Sequence, residues 1–457
     1  MTKENKMGTM PVGRLLFGMA TPIVISMLVQ AMYNIVDSIF VSAYDPALLG
    51  ALSLAFPAQN LMIGVATGSA VGFNAILSRS LGEGNRKMVS KSAGNGITLE
   101  FFGMLLFVVF GLFGANAFLS FQSSDLPTVQ AGEEYLLVVS SMSAGLFGQI
   151  TFERLLQSTG KSVYSMITQL TGAIINIILD PILIFGYLGL PELGITGAAI
   201  ATVIGQCVAA CLGAFLHFRF NREIRMKVRD LLPDRALMGR IIAIAVPSIL
   251  VVCIGSVTNM GLNRIVDGFG ADGVVAIAVL GAYFKLQSFV FMPVFGLNNG
   301  LVPIIAYNYG AGNRRRLLRA LRLAIYAAVS LMALGLLLMQ LIPGQLLLLF
   351  NADTALLKIG IPALRTISLS FVFAGFCIVV SSSFQALGRG SYAMLLSAAR
   401  QLIVLLPAAY LLSLPGKLSL VWLAFPIAEV ASVVVAILLF FRIYKRVLRR
   451  IPDQSNA

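Results

Sequence analysis

The segment Asn176-Ile177-Ile178-Leu179-Asp180-Pro181 decides the fold of this chain. It lies in an apolar run at about 163–188, which at 1.5 Å per residue is long enough to cross a bilayer. Asn176 and Asp180 share one helical face, about 6 Å apart along the axis. Pro181 has no N–H, so the carbonyl of Ile177 loses its helical partner nearby. A carboxylate, an amide and a freed carbonyl predict a site for a hard cation or a proton; the alternative is a kinked helix whose polar groups satisfy one another.

The composition of the whole chain indicates a membrane protein. Of 457 residues, 58% are hydrophobic and only 11% are charged, and the mean hydropathy is +0.90. The charges occur in short clusters between apolar runs of about 20 to 30 residues, which is typical of polytopic helical membrane proteins. We therefore predict an all-α polytopic membrane protein in contact with membrane lipids.

Several other classes of function are disfavoured. The net charge of +14 does not indicate nucleic-acid binding, because the basic residues lie at the ends of apolar runs, where membrane orientation and anionic lipid explain them. The four cysteines lie in apolar runs without Cys-x-x-Cys spacing, so we expect free thiols. The sequence has one histidine and no HExxH, GxSxG or ATP-binding loop, so we predict no enzyme activity and no cofactor.

Twelve apolar runs predict twelve transmembrane helices. The first is too long for the core of a signal peptide, so we expect it to be retained. The runs cover about 15–42, 48–78, 91–113, 132–157, 163–188 and 194–218, and then 237–265, 273–306, 316–342, 356–385, 391–413 and 418–443. With a cytoplasmic N-terminus, 28 of the 33 Lys and Arg residues lie on the cytoplasmic side. We predict an inner (plasma) membrane protein of bacterial type with both termini in the cytoplasm.

The two halves of the sequence repeat each other at an offset of 228 residues. Positions related by this offset include Gln59 and Gln287, Gly82 and Gly310, Asn85 and Asn313, and Gly160 and Gly388. Near the C-terminus the offset falls to 223, which relates Arg219 to Arg442. Because six spans separate equivalent points, the halves share one orientation, as a parallel (6+6) repeat. We predict a six-helix lobe at 1–218 that holds the cation site, a basic cytoplasmic linker at 219–240, and a six-helix lobe with a basic tail at 241–457.

The segments Gly82-Glu83-Gly84-Asn85 and Gly310-Ala311-Gly312-Asn313 each follow a long span and precede a basic helix start. Glycine suits a helix C-cap and asparagine an N-cap. A third glycine and a flanking strand, which a dinucleotide site would require, are missing. We predict a tight cytoplasmic turn in each half.

These features together resemble the multidrug and toxic compound extrusion (MATE) family. The most specific motifs are Asp37 in span 1, Gln157-Ser158-Thr159-Gly160, Asn176-x-x-x-Asp180-Pro181 and Gly197-Ala198-Ala199-Ile200-Ala201-Thr202. The resemblance covers nearly the whole chain. It implies a monomeric antiporter that expels organic cations against the entry of sodium ions or protons. It also implies an ion-coupling site, open to transported sodium, at Asp37, Asn176, Asp180 and Thr202, with Thr196 as a neighbouring alternative to Thr202.

The predicted spans allow a check on this site. Asp37, Asp180 and Thr202 lie about 8, 12 and 12 Å below the outer ends of spans 1, 5 and 6, so they share one depth. At offset 228, Asn176 and Asp180 correspond to Val404 and Ala408. The coupling site is therefore expected in the N-terminal half only.

Further polar residues lie at membrane depth. Candidate substrate contacts are Asn34, Gln59, Lys285, Gln287 and Glu429. Lys285 and Glu429 lie at similar depths, so we expect either an ion pair between them or a substrate contact. Glu100 and a Glu153–Arg154 pair lie nearer the cytoplasm and are expected to stabilise helix packing. We expect Arg400 to lie within the membrane and His217 at the membrane interface.

The sequence thus predicts a cation-coupled efflux antiporter for amphipathic, mainly cationic organic compounds, which works by alternating access. The alternative is a flippase for a lipid-linked precursor or polysaccharide. A flippase would need basic groups for phosphates in its cleft, whereas most deep charged residues here are acidic. A channel is disfavoured because an asymmetric acid site in a 6+6 chain suits alternating access better than a pore.

Overall fold

The computed structural model describes residues 5–45, 48–123, 125–350 and 353–451, without the side chains of Asn34, Ser38, Ser42, Leu49 and Ala271. Within these ranges, ten single helices and two bent helix pairs are long and apolar enough to give twelve membrane spans. The predicted all-α fold with twelve spans is confirmed.

Spans 1 to 6 form the first lobe. Their bounds are Val12–Tyr44, Leu48–Gly82, Arg86–Phe113, the bent pair Leu126–Ser141 and Ala144–Ser158, Ser162–Ile184, and Gly194–Phe220. Short helices precede or connect them at Lys6–Thr9, Ala115–Gln122 and Tyr187–Gly189.

Spans 7 to 12 form the second lobe. Their bounds are Arg235–Asp267, Ala271–Gly310, Arg314–Leu341, the bent pair Thr354–Ser368 and Phe371–Ala386, Gly390–Ser413, and Ala424–Arg446. Span 11 contains a π-helical segment at Ala399–Leu405. Short helices lie at Val228–Leu231, Pro343–Leu348, Leu418–Val421 and Leu448–Arg450.

The two lobes repeat each other in detail. Span 4 bends by 46° and span 10 by 48°, at breaks about 228 residues apart. The left-handed glycines recur at the same offset, with φ of +71° and +67° at Gly84 and Gly312, and of +84° and +75° at Gly160 and Gly388. Glycine adopts this conformation without steric cost, which is why it recurs there. The parallel repeat is confirmed.

The predicted tight turn in each half is also confirmed. After each left-handed glycine, the side chain of Asn85 or Asn313 caps the next helix. Its Oδ1 accepts from the N–H of the third helical residue, Met88 or Arg316, at 3.1 Å in both lobes. Such caps satisfy one of the free N–H groups at a helix start.

The lobes contact each other next to these turns. A Cβ on Gly82 would lie 2.0 Å from the carbonyl oxygen of Tyr307, and a Cβ on Gly310 would lie 2.1 Å from that of Arg79. Higher in the membrane, Gly72 meets the carbonyl oxygen of Ile241 in the same way, at 2.7 Å. Only glycine permits backbones to approach this closely.

The basic linker between the lobes is docked on span 3. The Nδ2 of Asn95 donates to the carbonyl oxygens of Asp230 and Leu232 at 3.2 and 3.3 Å, and its Oδ1 accepts from the N–H of Asp234 at 2.8 Å. A Cβ on Gly94 would lie 2.2 Å from the carbonyl oxygen of Asp230. Asp234 then caps span 7, and its hydrogen bond with Lys91 holds the pKa of its carboxyl below the usual range. The start of span 7 is thereby fixed to the first lobe.

Candidate cation site

Spans 5 and 6 approach each other closely because glycines face carbonyl groups across their interface. A Cβ on Gly205 would lie 2.7 Å from the carbonyl oxygen of Gly172, and one on Gly197 would lie 2.5 Å from that of Leu183. Small residues at helix contacts let backbones approach in a membrane. Short polar side chains on the two spans can therefore reach each other directly.

Asn176 makes the bond between these two spans. Its Nδ2 donates to Asp180 Oδ1 at 3.2 Å within span 5 and to Thr202 Oγ1 at 3.3 Å in span 6. Asp180 is fully buried, and Asn176 and Thr202 are 3% and 6% exposed. Thr196 lies elsewhere, since its hydroxyl donates to Glu134 Oε2 at 3.1 Å. The structure thus joins three of the four predicted coupling residues.

The fourth residue, Asp37, lies in span 1, which packs against span 5. Among the described residues, Asp37 Oδ1, Asp180 Oδ2 and Asn176 Oδ1 are buried oxygens without a hydrogen-bond partner. Leaving a buried acceptor unpaired costs about 1–3 kcal/mol. Three such atoms in one region therefore form an oxygen-rich set available to a ligand.

Two tyrosines that the sequence analysis missed lie within electrostatic range of the carboxylates. Tyr33 and Tyr135 are both within electrostatic reach of Asp37 and Asp180. Tyr33 lies one helical turn before Asp37, and this spacing was the available signal. Tyr135 comes from span 4, and nothing in its local sequence indicates its position.

Of the two substrate contacts predicted in the first lobe, the structure describes the side chain of one. Gln59 contacts Tyr135 of span 4: its Nε2 donates to the tyrosine hydroxyl at 3.4 Å. The Asn34 side chain lies outside the described residues.

The second lobe has no polar counterpart at the equivalent place in span 11. The sequence offset pairs Asn176 and Asp180 with Val404 and Ala408, but this pairing is shifted. The π-helical segment adds a residue to the turn, so the fully packed positions are Leu405 and Ala409, at 6% and 0% exposure. Both are apolar, so the carboxylate–amide pair occurs in one lobe.

A cavity of about 300 Å³ lies in the second lobe instead. Its wall carries an ion pair between Arg400 Nη1 and Glu429 Oε1, 3.0 Å apart, and the predicted substrate contact Gln287. Aromatic rings complete the wall, at Tyr283, Phe284, Phe291 and Phe425.

The predicted pairing of Lys285 with Glu429 is wrong. Lys285 is exposed, and its Nζ lies 5.8 Å from the ring centroid of Phe350. Two residues along a helix differ by about 200° in direction, so Lys285 cannot share the face of Gln287 that lines the cavity. Equal depth does not fix the direction in which a side chain points.

A protein-family model described as MatE matches residues 22–182 and 247–411, which is more than half of the chain and one segment in each lobe. The chain belongs to the MatE family. It is therefore a transporter and an integral membrane protein.

Relatives match nearly the full length of this MatE chain. A multidrug export protein MepA from Staphylococcus haemolyticus is 26% identical over 437 residues, which cover 95% of this chain and 94% of the relative. An FAD transporter from Shewanella oneidensis is 27% identical over 428 residues, 92% of each chain. The structure of a MOP superfamily transporter from Pyrococcus furiosus is 24% identical and has a TM-score of 0.91, covering 98% of this chain and 99% of that one.

The other intramembrane charges of this MatE transporter are held by local hydrogen bonds. Ser69 donates to Glu100 Oε1 at 2.6 Å. Glu153 and Arg154 each bond to a glutamine of span 4: Gln149 donates to Glu153 at 2.9 Å, and Arg154 donates to Gln157 at 3.1 Å.

His217 ends span 6 in a buried position. It is 1% exposed, and its Nδ1 lies 3.3 Å from the Asn221 amide nitrogen.

Proposed function

We propose that this MatE transporter exports amphipathic, mainly cationic organic compounds in exchange for sodium ions, with protons competing for the same carboxylates. The observation that carries the proposal is the set of unpartnered buried oxygens of Asp37, Asn176 and Asp180. Hard cations bind where several oxygens surround one or two carboxylates. A proton would need only one carboxylate.

Two features favour sodium over a proton alone. Thr202 Oγ1 and the Ile177 carbonyl, which Pro181 leaves without an N–H partner, add neutral oxygen donors beside the carboxylates. In addition, two nearby ionised carboxylates repel each other, so a bound cation stabilises both in their charged form. A shared proton also relieves this repulsion, which explains the competition.

Cationic substrates fit the charges along the two lobes. The first lobe presents two carboxylates, and in the second-lobe cavity Glu429, which pairs with Arg400 through Oε1, has a buried Oε2 without a partner in the described residues. Aromatic rings beside a carboxylate attract organic cations through their faces. The named relatives divide between multidrug export and FAD transport, and the acidic sites favour the first.

Coupling requires that the ion and the substrate prefer different states of the lobes, or compete for one state. In the structure the lobes meet at Gly82 and Gly310, which lie at the span ends that the basic residues assign to the cytoplasm. We propose that external sodium binds between spans 1 and 5 in this state and shifts the first lobe, which releases substrate outward. The basic asymmetry places both termini in the cytoplasm of a bacterial plasma membrane, and the chain acts as a monomer.

Efflux of a panel of cationic and anionic fluorescent dyes from energised vesicles tests this function. We expect cationic dyes to leave faster with an inward sodium gradient, and Asp180→Asn to remove the gradient's effect. Expression and folding of the variant are checked by gel filtration in detergent. Export of anionic dyes alone, or gradient-independent export, would contradict the proposal.

A further inference from the structure

A second cavity, of about 660 Å³, opens at the cytoplasmic side where the two lobes meet. The first lobe contributes Arg79 and Glu83, and the second lobe contributes Tyr309, Arg389, Arg446 and Arg450. Its floor is the glycine contact of Gly82 and Gly310. The cavity therefore exists in this form only while the lobes are together at the cytoplasmic side.

The positive charge of this cavity is not balanced by the residues that the structure describes. Glu83 is the acidic residue of its wall, and its Oε1 is already 2.8 Å from Arg79 Nε. Arg79 also lies over the Tyr309 ring, 4.6 Å from its centroid. Within the described residues, the guanidinium groups of Arg389, Arg446 and Arg450 form no ion pair or hydrogen bond. Three like charges around one cavity repel one another unless an anion joins them.

In the first lobe, the position equivalent to the arginine cavity is marked by Lys161, which follows the left-handed Gly160 as Arg389 follows Gly388. The protein itself fills this position. The N-terminal segment Asn5–Thr9 covers it: a Cβ on Gly160 would lie 2.8 Å from Lys6 Cε, and one on Gly8 would lie 3.2 Å from the Tyr307 ring.

This filled counterpart also contains its own acid. The amide of Asn5 donates to the Thr159 carbonyl at 3.3 Å and to the Glu223 carboxylate. Glu223 attracts both Lys6 and Lys161. At the C-terminal repeat offset of 223, Glu223 corresponds to Arg446. The first lobe thus has a neutralising acid, Glu223, where the second lobe has another positive charge, Arg446. Within the described residues, no segment covers the cavity at Arg446.

We propose that the cytoplasmic arginine cavity binds a phosphate-bearing anion, and that the bound anion stabilises the state in which the lobes meet at the cytoplasmic side. Guanidinium groups bind phosphate oxygens through paired charge-assisted hydrogen bonds, and several of them suit a group with more than one anionic oxygen. Separation of the lobes would carry Arg79 away from the other three arginines, so the anion binds one state preferentially. This regulation is independent of the substrate and coupling ion proposed above.

A phospholipid headgroup and a soluble phosphate compound share this chemistry, and a distance measurement separates them. Spin labels at the exposed positions Lys87 and Arg319, in a cysteine-free background, report the separation of the cytoplasmic ends of the lobes. The protein is placed in phosphatidylcholine nanodiscs, with phosphatidylglycerol added in one arm and inorganic phosphate in the other. We expect at least one of them to increase the short-distance population; a response to phosphatidylglycerol alone assigns a lipid, and one to inorganic phosphate assigns a soluble anion.

Matched variants test the cavity itself. Arg389→Gln with Arg446→Gln should raise the anion concentration needed for a half-maximal response about a hundredfold or more, because each lost charge-assisted bond weakens binding about tenfold or more. Arg442→Gln with Arg449→Gln removes the same charge from exposed residues outside the cavity wall and should keep the response.

Arg446→Glu provides a test in the opposite direction. It places in the second lobe the acid that Glu223 provides in the first. The short distance between the two spin labels should therefore be favoured without any added anion. The proposal is overturned if neither anion changes the distance, if both double variants lose the response equally, or if Arg446→Glu leaves the anion response unchanged.

Discussion

One added methyl group at Gly205 is predicted to disrupt the candidate cation site. In Gly205→Ala, the new Cβ would lie 2.7 Å from the carbonyl oxygen of Gly172, whereas ordinary contact begins at 3.4 Å. Spans 5 and 6 must therefore separate by about 0.7 Å at this point. The bond between Asn176 Nδ2 and Thr202 Oγ1 is already 3.3 Å long, so a shift of this size breaks it.

Two effects should be measurable in this variant. Forced separation of packed helices typically costs about 1–3 kcal/mol, so the free energy of unfolding should fall by that amount. Displacement of a binding group by this distance also weakens sodium binding, so the stabilisation of the protein by saturating sodium, which amounts to about 2.7 kcal/mol at 100 times Kd, should largely disappear. Thermal unfolding in detergent with sodium or with choline chloride measures both effects.

Gly18→Ala is the matched control, because a Cβ there meets nothing within 4 Å. Alanine is favoured over glycine in a helix by about 1 kcal/mol, so this variant should keep both stability and the sodium effect. If Gly205→Ala showed the same sodium-dependent stabilisation as the wild type, the argument that glycine contacts hold the site together would be refuted.

Three further outcomes are expected. Asp37→Asn and Asp180→Asn should each abolish ion-coupled export without loss of expression, because the change removes charge but keeps volume; full transport by either variant would exclude a coupling role. Gly94→Ala should release the linker from span 3 and lower the unfolding temperature, since its Cβ would lie 2.2 Å from a carbonyl oxygen, whereas Gly239→Ala meets nothing within 4 Å and should not. In a thiol-free background, an impermeant reagent added outside should label single cysteines at the predicted external positions Asp45, Asp125, Glu192 and Asp353. It should not label cysteines at the predicted cytoplasmic positions Arg86, Arg229 and Arg315, and labelling there would refute the twelve-span topology.

The regular parts of the fold could be predicted because bilayer crossing leaves a strong signal in sequence. Apolar runs of bilayer length mark the spans, and glycine repeats mark the turns, as Gly84 and Gly312 show. The bend in span 4 could not be predicted. It falls between Ser141 and Ala144, in a serine-rich segment without proline, where the Ser141 hydroxyl donates to the carbonyl of Leu137. Such bonds favour a bend, but serine alone does not specify one.

Within the candidate site, prediction succeeded for residues on one helix and failed for partners between helices. Helical spacing alone places Asn176 beside Asp180. Depth in the membrane alone suggested Lys285 as the partner of Glu429. The direction in which each side chain leaves its helix instead makes Arg400 the partner. The π-helical turn that carries Arg400 has no sequence signature, and it shifts the register of span 11 by one residue.

Sodium-driven efflux from proteoliposomes at fixed pH, with the proton gradient collapsed by an ionophore, tests the central claim most directly. An inward sodium gradient should drive efflux of a cationic dye by the wild type. Asn176→Ala should respond less, because it removes the amide that joins Asp180 to Thr202. Efflux that responds only to an imposed pH gradient, in both proteins alike, would contradict the sodium site.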